Sequence, residues 1–284
     1  MTNNSAPIRY TPILLWLLLV ISFVACFHPT FSWLHHKYSS SESYFSHGYL
    51  IPFVSAYLIY QVKDELRQIA LSSSLLGLWV IILALAIHIL GVLGDVNFIS
   101  GFSLVLYLAG CSLYLLGRPF TKGIAFPLFF LLFMCPIPDA AINIVGLPLK
   151  SMATTLSLYI IDILNIPYIR EGFRIHFAES TYIVGTPCNG MRSLISFFAL
   201  GFLFIYFVRT VWWKKGLLLL IIPPLSILLN GIRIALLLFI AQRYGQEAAS
   251  PESYLHDGSG LLVFIVGLGA MILFVRYINE EKAS

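Results

Sequence analysis

The chain is dominated by long apolar segments that contain almost no charged residues. Hydrophobic residues make up 59% of its 284 positions and charged residues only 11%. A helix needs about 20 apolar residues to cross roughly 30 Å of hydrocarbon. The pattern predicts an all-α integral membrane protein, a single polytopic domain over residues 1–284 with about eight transmembrane helices, at residues 11–27, 45–62, 73–92, 99–117, 122–138, 189–208, 216–241 and 258–276.

Three simpler readings of the composition are set aside. Residues 11–27 are expected to remain as a transmembrane helix, because this stretch lacks the early small-residue cleavage site of a signal peptide. Four cysteines are too few for a disulfide scaffold. The net charge of +4 does not indicate nucleic-acid binding, since basic residues in a membrane chain mostly report orientation.

Residues 139–187 differ from the other segments. Lys150, Asp162 and Pro167 interrupt the apolar sequence, and Phe173–Phe177 alternates apolar and polar residues with the period of a strand. This region therefore predicts an amphipathic or re-entrant helix followed by a short β-hairpin, both at the outer face of the membrane.

The positions of the basic residues predict the orientation. With a cytoplasmic N-terminus, ten of the seventeen Lys and Arg residues fall in inner loops and tails: Arg9, Lys63, Arg67, Arg118, Lys122, Arg209, Lys214, Lys215, Arg276 and Lys282. Cytoplasmic loops carry an excess of such residues. Both termini are therefore expected in the cytoplasm.

Three chemically active side chains are expected at the same depth. A helix rises 1.5 Å per residue, so Arg233 lies about 25 Å above the inner boundary near Gly216. The same count places His256 about 30 Å from Arg276, and Cys188 about 30 Å from Arg209. All three are thus expected at the outer face, although the sequence does not show whether they touch.

Cys188 is the leading candidate because it lies where a polar turn meets an apolar helix. Thiols at helix N-termini near cations have a lowered pKa, whereas a buried cysteine elsewhere is usually inert packing, the alternative that stays open here. Asn189 is a candidate N-cap, and Gly185, Pro187 and Gly190 favour a tight turn.

The other candidates also keep alternatives. Arg233, one turn after Asn230, could extend to the lipid headgroups. Arg192 lies four residues after Cys188 and could either extend to the headgroups or stabilise a thiolate. His256 could be an ordinary loop histidine.

Two further histidines are rival bases. His176 lies on the polar side of the predicted strand, and His47 lies near the outer end of the second span. Structural or substrate-contacting roles are expected for both.

Several motifs occur in a recognisable order: SHGYLIP at Ser46–Pro52, PIP at Pro136–Pro138, PCNGMRS at Pro187–Ser193, NGIR at Asn230–Arg233 and HDG at His256–Gly258. Together they resemble the exosortase and archaeosortase family of membrane transpeptidase-like enzymes. The resemblance covers most of the chain. Asn189 departs from the serine that is commoner in that family, which leaves the subfamily open, and no soluble domain is expected after the last span.

The resemblance implies a catalytic set of Cys188, Arg233 and His256, with Arg192, Asn189 and Asn230 in support. The implied enzyme is a membrane cysteine protease or transpeptidase that cleaves C-terminal sorting signals of secreted, membrane-tethered proteins. Its thioester would pass to a lipid or amine acceptor, or to water.

The implied partner is the C-terminal transmembrane helix of a substrate. The implied location is the bacterial cytoplasmic membrane, with the active site facing the periplasm and a frequent link to exopolysaccharide genes. Neither cofactor nor metal is expected, since no His-Glu-x-x-His pattern is present. The oligomeric state stays open.

Two other classes remain as alternatives. A polytopic transporter would fit the Pro223–Pro224 pair and the interrupted region, although no inverted repeat is visible. A structural subunit of a polysaccharide-export system would need no active thiol. Replacing Cys188 would separate both from an enzyme.

Overall fold

The computed structural model describes residues 20–40, 43–178, 180–185, 188–250 and 253–280. The chain divides into two compact units. The first contains Met1–Ser40 and Val54–Pro136, and the second contains Ser41–Phe53 and Ile137–Ser284. The expectation of one domain over the whole chain stays a prediction.

The first unit is helical. Residues 20–26 are helical, and the elements that follow are α1 (His28–Ser39), α2 (Ile51–Gln61, which begins in the second unit), α3 (Lys63–Arg67), α4 (Leu75–Leu93), α5 (Asn97–Leu115), α6 (Arg118–Gly123), α7 (Ala125–Phe130) and a 3₁₀ turn at Leu131–Met134. Helices α4 and α5 form its most extensive contact. Gly77 allows their close approach, because a Cβ there would overlap the backbone nitrogen of Tyr114.

The second unit surrounds one long helix. Its elements are a 3₁₀ turn at Ser46–Tyr49, α8 (Asp139–Ile163), β1 (Ile169–Glu171), β2 (Arg174–His176), β3 (Thr181–Ile183), α9 (Met191–Phe207), α10 (Trp212–Tyr244), a 3₁₀ turn at Glu247–Ala249 and α11 (Tyr254–Glu280). Helix α10 continues through Pro223 and Pro224 and packs against α8, α9 and α11. It is therefore the element on which the other three helices are assembled.

A small antiparallel sheet, in the order β1-β2-β3, lies between α8 and α9 in the chain. The predicted hairpin is confirmed in β1 and β2, and β3 adds a third strand that was not predicted. Ile175 pairs with Tyr182, and these side chains share a buried cluster with Ile161 and Leu237. One face of the sheet thus packs on the helical core, which fixes the position of the chain that leads to Cys188.

Five segments of the described chain contain helices long and apolar enough to cross a membrane: Leu75–Leu93, Asn97–Leu115, Asp139–Ile163, Trp212–Tyr244 and Glu247–Asn279, which contains α11. Four of them match the predicted spans 73–92, 99–117, 216–241 and 258–276. The prediction of eight spans is not confirmed.

The remaining predicted spans have other forms. Residues 189–208 give α9, which has 17 residues. Residues 45–62 give a 3₁₀ turn and the 11-residue helix α2. Residues 122–138 form short pieces, namely the end of α6, helix α7 and a 3₁₀ turn. Most of residues 11–27 lies outside the described residues.

The amphipathic or re-entrant helix predicted after residue 139 is a single helix, α8, which is long and apolar enough to cross a membrane. Helix α8 runs uninterrupted for 25 residues. Lys150 does not end it, since its ammonium lies over the Phe173 ring at 4.2 Å, and Asp162 falls in the last turn. The helix accommodates both charges without losing its apolar length.

Candidate active site

The turn before α9 is shaped by Gly190. This residue has φ +76° and directly precedes Met191, the first residue of the helix. A Cβ at Gly190 would also meet the side-chain amide of Asn230 at 3.2 Å. Left-handed backbone and close approach both favour glycine here, so the turn can tighten against α10.

Asn189 supports this turn, although it lies one residue before the N-cap and not at it. The N-cap residue is Gly190, yet the Asn189 Oδ1 still accepts a hydrogen bond from the Met191 N–H at 3.0 Å. Its Nδ2 donates to the Tyr44 hydroxyl at 3.0 Å. The predicted capping contact is therefore made, but by the residue before the N-cap.

Asn230 holds the backbone of Cys188. Its Nδ2 donates to the Cys188 carbonyl at 2.7 Å, and both residues are buried. One helical turn earlier, Ser226 donates to the Gly190 carbonyl at 3.3 Å. Two polar side chains of α10 thus fix the turn that carries the thiol.

The Cys188 sulfur faces two polar side chains. Its Sγ lies 3.7 Å from His256 Nε2 and 3.9 Å from the Tyr182 hydroxyl. The residue is 2% exposed. A thiol beside an imidazole is the arrangement expected of a base-activated cysteine nucleophile.

Arg233 binds the same imidazole and the backbone that carries it. Its Nη2 lies 3.4 Å from His256 Nε2 and donates to the His256 carbonyl at 3.3 Å, while its Nε donates to Ser259 Oγ at 3.2 Å. Because a guanidinium only donates, Nε2 is an acceptor in this arrangement. The three residues placed at one depth by sequence are therefore adjacent.

The other imidazole nitrogen is not satisfied. His256 Nδ1 is buried and has no hydrogen-bond partner within the described chain. The Asp257 carboxylate is 3.7 Å away, but that side chain is 82% exposed. A buried polar group without a partner is costly, so this histidine is held in an arrangement that stability alone does not favour.

A cavity of about 250 Å³ opens onto the thiol. Its wall contains Cys188 and His256, residues Tyr182, Ile183 and Gly185 on and just after β3, and Gln246 and Ser250 from the connection between α10 and α11. Small molecules or a short part of a chain can reach the sulfur there. Arg233 contacts this site through His256.

The rival bases lie beside residues other than Cys188. His176 lies within 3.0 Å of the Thr181 hydroxyl and 3.3 Å of the Glu171 carboxylate, both in the sheet. His47 lies 3.4 Å from Ser196 Oγ. The imidazole beside the thiol is that of His256.

Arg192 lies in the first turn of α9 with an exposed side chain. Its support of a thiolate stays a prediction. No group of three or more His, Cys, Asp or Glu side chains among the described residues could hold a metal ion, and the expectation of no cofactor likewise stays an expectation.

Tyr182 is the site residue that sequence reasoning missed. Its hydroxyl contacts the sulfur, and the residue is 5% exposed. Burial raises the pKa of Tyr182 above its ordinary value, and the neighbouring Cys188 adds to this effect. The phenol therefore stays protonated and can act as an O–H donor.

Comparison with known families shows which family the chain belongs to. The family model of the transmembrane exosortases matches residues 33–273, which is most of the chain. The chain belongs to the transmembrane exosortase family. It is therefore an integral membrane protein, and membership supports a membrane transpeptidase or protease in general.

The matched range of the exosortase model includes Cys188, Arg233 and His256. No match was found among curated proteins or among solved structures. The roles of individual residues in this exosortase therefore depend on the geometry described above.

Proposed function

We propose that this exosortase is a cysteine transpeptidase that removes C-terminal sorting tails from secreted proteins tethered by a transmembrane helix. The observation that carries the proposal is the Cys188 Sγ, 3.7 Å from His256 Nε2 at the wall of a cavity. A nucleophile and base within reach of each other, at a site that a substrate can enter, are the minimum for acyl transfer.

The first half of the reaction forms a thioester. His256 Nε2 accepts from Arg233 Nη2 at rest, so it releases that hydrogen bond as it takes the proton of the thiol. The sulfur then attacks the carbonyl carbon of the scissile peptide bond. The C–S bond forms while the carbonyl π electrons move to oxygen. When the oxyanion collapses, the C–N bond breaks, and the departing amine of the tail takes the proton from His256.

The second half transfers the protein. An amine or lipid group that attacks the thioester anchors the protein and releases the thiol, whereas water gives simple proteolysis. The acceptor thus decides between anchoring and release without any change in the residues that act on the sulfur.

Arg233 and Tyr182 both stabilise the negative charge that develops during the reaction. Arg233 fixes the His256 imidazole and supplies a permanent positive charge within 3.4 Å of Nε2. This positive charge favours the negative charge that develops on the oxyanion. The Tyr182 hydroxyl is 3.9 Å from the sulfur, and the oxyanion is only two bonds from that sulfur, so the phenol can donate to it.

The setting proposed for this chemistry is the bacterial cytoplasmic membrane. Both termini lie in the cytoplasm, and the site opens at the periplasmic face, where a C-terminal helix of the substrate enters between the spans. Basic residues at the predicted inner boundaries support this orientation. A role in sorting proteins of an exopolysaccharide matrix belongs to the same proposal.

The test compares two equally buried cysteines. Cys188→Ala is expected to abolish removal of the tail from a co-expressed secreted protein that ends in a transmembrane helix, with the enzyme present at its normal level. Cys135→Ala is the matched control, because Cys135 is also 2% exposed, and it should process normally.

Tail removal is read by the mobility of the substrate on a gel and by mass spectrometry of its new C-terminus. Continued processing by Cys188→Ala would overturn the proposal. It would leave the transporter and the structural subunit, both of which tolerate that substitution.

A further inference from the structure

Strand β3 has a free edge. The sheet order places β2 on one side of it, and no other strand of the described chain pairs with its second side. Edge strands present backbone N–H and C=O groups that can pair with another chain. This edge is notable because it leads directly into the turn that carries Cys188.

The register shows which backbone groups face outward. The Val184 N–H donates to the Phe173 carbonyl at 2.9 Å, and the Phe177 N–H donates to the Ser180 carbonyl at 2.8 Å. Hydrogen-bonded pairs alternate along an antiparallel ladder, so Tyr182 is the β3 residue whose backbone points to β2.

The backbone groups of Thr181 and Ile183 consequently point away from β2. Outside the β2–β3 pairing, no backbone hydrogen bond among the described residues uses the N–H or C=O of either one. Two complete donor and acceptor pairs are thus available on the free edge. They are spaced as the backbone of an added strand requires.

The cavity lies along the same strand. Ile183 and Gly185 belong to its wall together with Cys188, and the Tyr182 side chain reaches from β3 to the sulfur. At about 250 Å³ it is smaller than the roughly 300–1,000 Å³ of a ligand pocket. It therefore suits the few atoms around a scissile bond, with the rest of a bound chain lying outside it.

We infer that β3 is the docking strand for the substrate: the segment preceding the substrate's transmembrane helix binds in extended form along the Thr181–Ile183 edge, which brings its scissile carbonyl to Cys188. This mode of recognition uses main-chain hydrogen bonds for affinity. The inference rests on the proposed function, because it supplies the substrate for that thiol.

The experiment uses the full-length exosortase in membranes and peptide vinyl sulfones that alkylate the Cys188 thiol. The backbone nitrogens of the three residues before the electrophile are methylated one at a time. Strand pairing predicts that the effect of methylation alternates along the peptide. Methylation of an amide that faces β3 should slow alkylation about three- to tenfold, and methylation of the amides next to it should not.

Two variants locate the edge. Ile183→Pro removes one outward N–H, and proline is tolerated on edge strands when that N–H faces outward. Ile183→Ala is the matched control, since it shortens the side chain and keeps the N–H. Ile183→Ala should retain the alternating pattern whatever its rate, whereas Ile183→Pro should lose it at one probe position.

Iodoacetamide, which needs no docking, checks the thiol itself. Normal iodoacetamide labelling of Cys188 with no alternation among the peptides would overturn docking at β3 and leave the proposed function standing. Docking at β3 would also be overturned if Ile183→Pro and Ile183→Ala changed the alternation among the methylated peptides to the same extent. Failure of Cys188 to react with either reagent in folded protein would overturn the proposed function, and the docking inference with it.

Discussion

Two buried histidines show how differently the chain uses the same side chain. In the first unit His88 is 4% exposed. Its Nε2 donates to the Cys26 carbonyl at 2.9 Å and its Nδ1 lies 2.7 Å from Ser100 Oγ, which is also bound by Thr30. Every polar atom of this ring is satisfied, as expected of a structural residue.

His256 of the second unit is 5% exposed, so burial does not distinguish the two. One of its nitrogens faces a thiol and a guanidinium, and the other has no hydrogen-bond partner among the described residues. The comparison teaches that unsatisfied hydrogen bonding beside a nucleophile, and not burial, indicates a functional histidine.

The largest contrast is expected from the paired variants His256→Ala and His88→Ala. Loss of a general base should lower the rate of tail removal about 10²- to 10⁴-fold while a tagged substrate helix still binds. His88→Ala should instead lower the free energy of unfolding by about 1–3 kcal/mol, because Ser100 and the Cys26 carbonyl lose a buried partner.

Processing rates normalised to folded protein, together with thermal unfolding, check both variants. The comparison fails if His256→Ala loses substrate binding and turnover to the same extent, which would make this residue structural like His88.

A smaller effect is expected from Arg233→Lys. Lysine keeps the charge but cannot donate at once to Ser259 and to the His256 carbonyl. Hydrogen bonds of charged groups contribute about 1.5–3 kcal/mol, so turnover should fall about tenfold to a hundredfold. Arg243→Lys is the control, since Arg243 is an exposed residue in the last turn of the same helix.

The measurement is again the rate of tail removal. Equal rates for Arg233→Lys and Arg243→Lys would show that a positive charge suffices and that the fixed geometry around His256 is unimportant.

The smallest effect is expected from Tyr182→Phe, which removes only a hydroxyl. Loss of one O–H donor near the sulfur should lower kcat about tenfold and leave KM nearly unchanged. Tyr168→Phe is the control, because that hydroxyl lies 3.3 Å from the Asp162 carboxylate instead. Steady-state kinetics with a peptide substrate separate the two parameters.

An unchanged kcat in Tyr182→Phe would remove the phenol from the mechanism. A rise in KM alone would assign it to substrate binding.

The sequence predicted that the three side chains lie at one level, because helix rise is fixed. Counting residues from charged boundaries placed Cys188, Arg233 and His256 at one level, and the structure brings their side chains together. Lateral contact depends on which helices pack on α10, and the resemblance to a family supplied that information where residue spacing did not.

Tyr182 could not be found in the same way. Strand β3 has only three residues, too few for alternation to stand out beside the apolar helices. The charges of α8 suggested an interrupted apolar segment for a related reason. Lys150 is accommodated by the ring of Phe173, a residue between β1 and β2. Long-range contacts of this kind are not visible in local sequence patterns.

The proposed mechanism requires the sulfur of Cys188 to carry the substrate as a thioester. The most direct measurement is intact-mass and peptide mass spectrometry of the enzyme quenched in acid during turnover of a tailed substrate. The account predicts an acyl adduct on the peptide that contains Cys188, released by hydroxylamine and absent from Cys188→Ala. Tail removal that proceeds with the adduct on another residue, or with no hydroxylamine-sensitive adduct under conditions that accumulate acyl-enzyme, would contradict it.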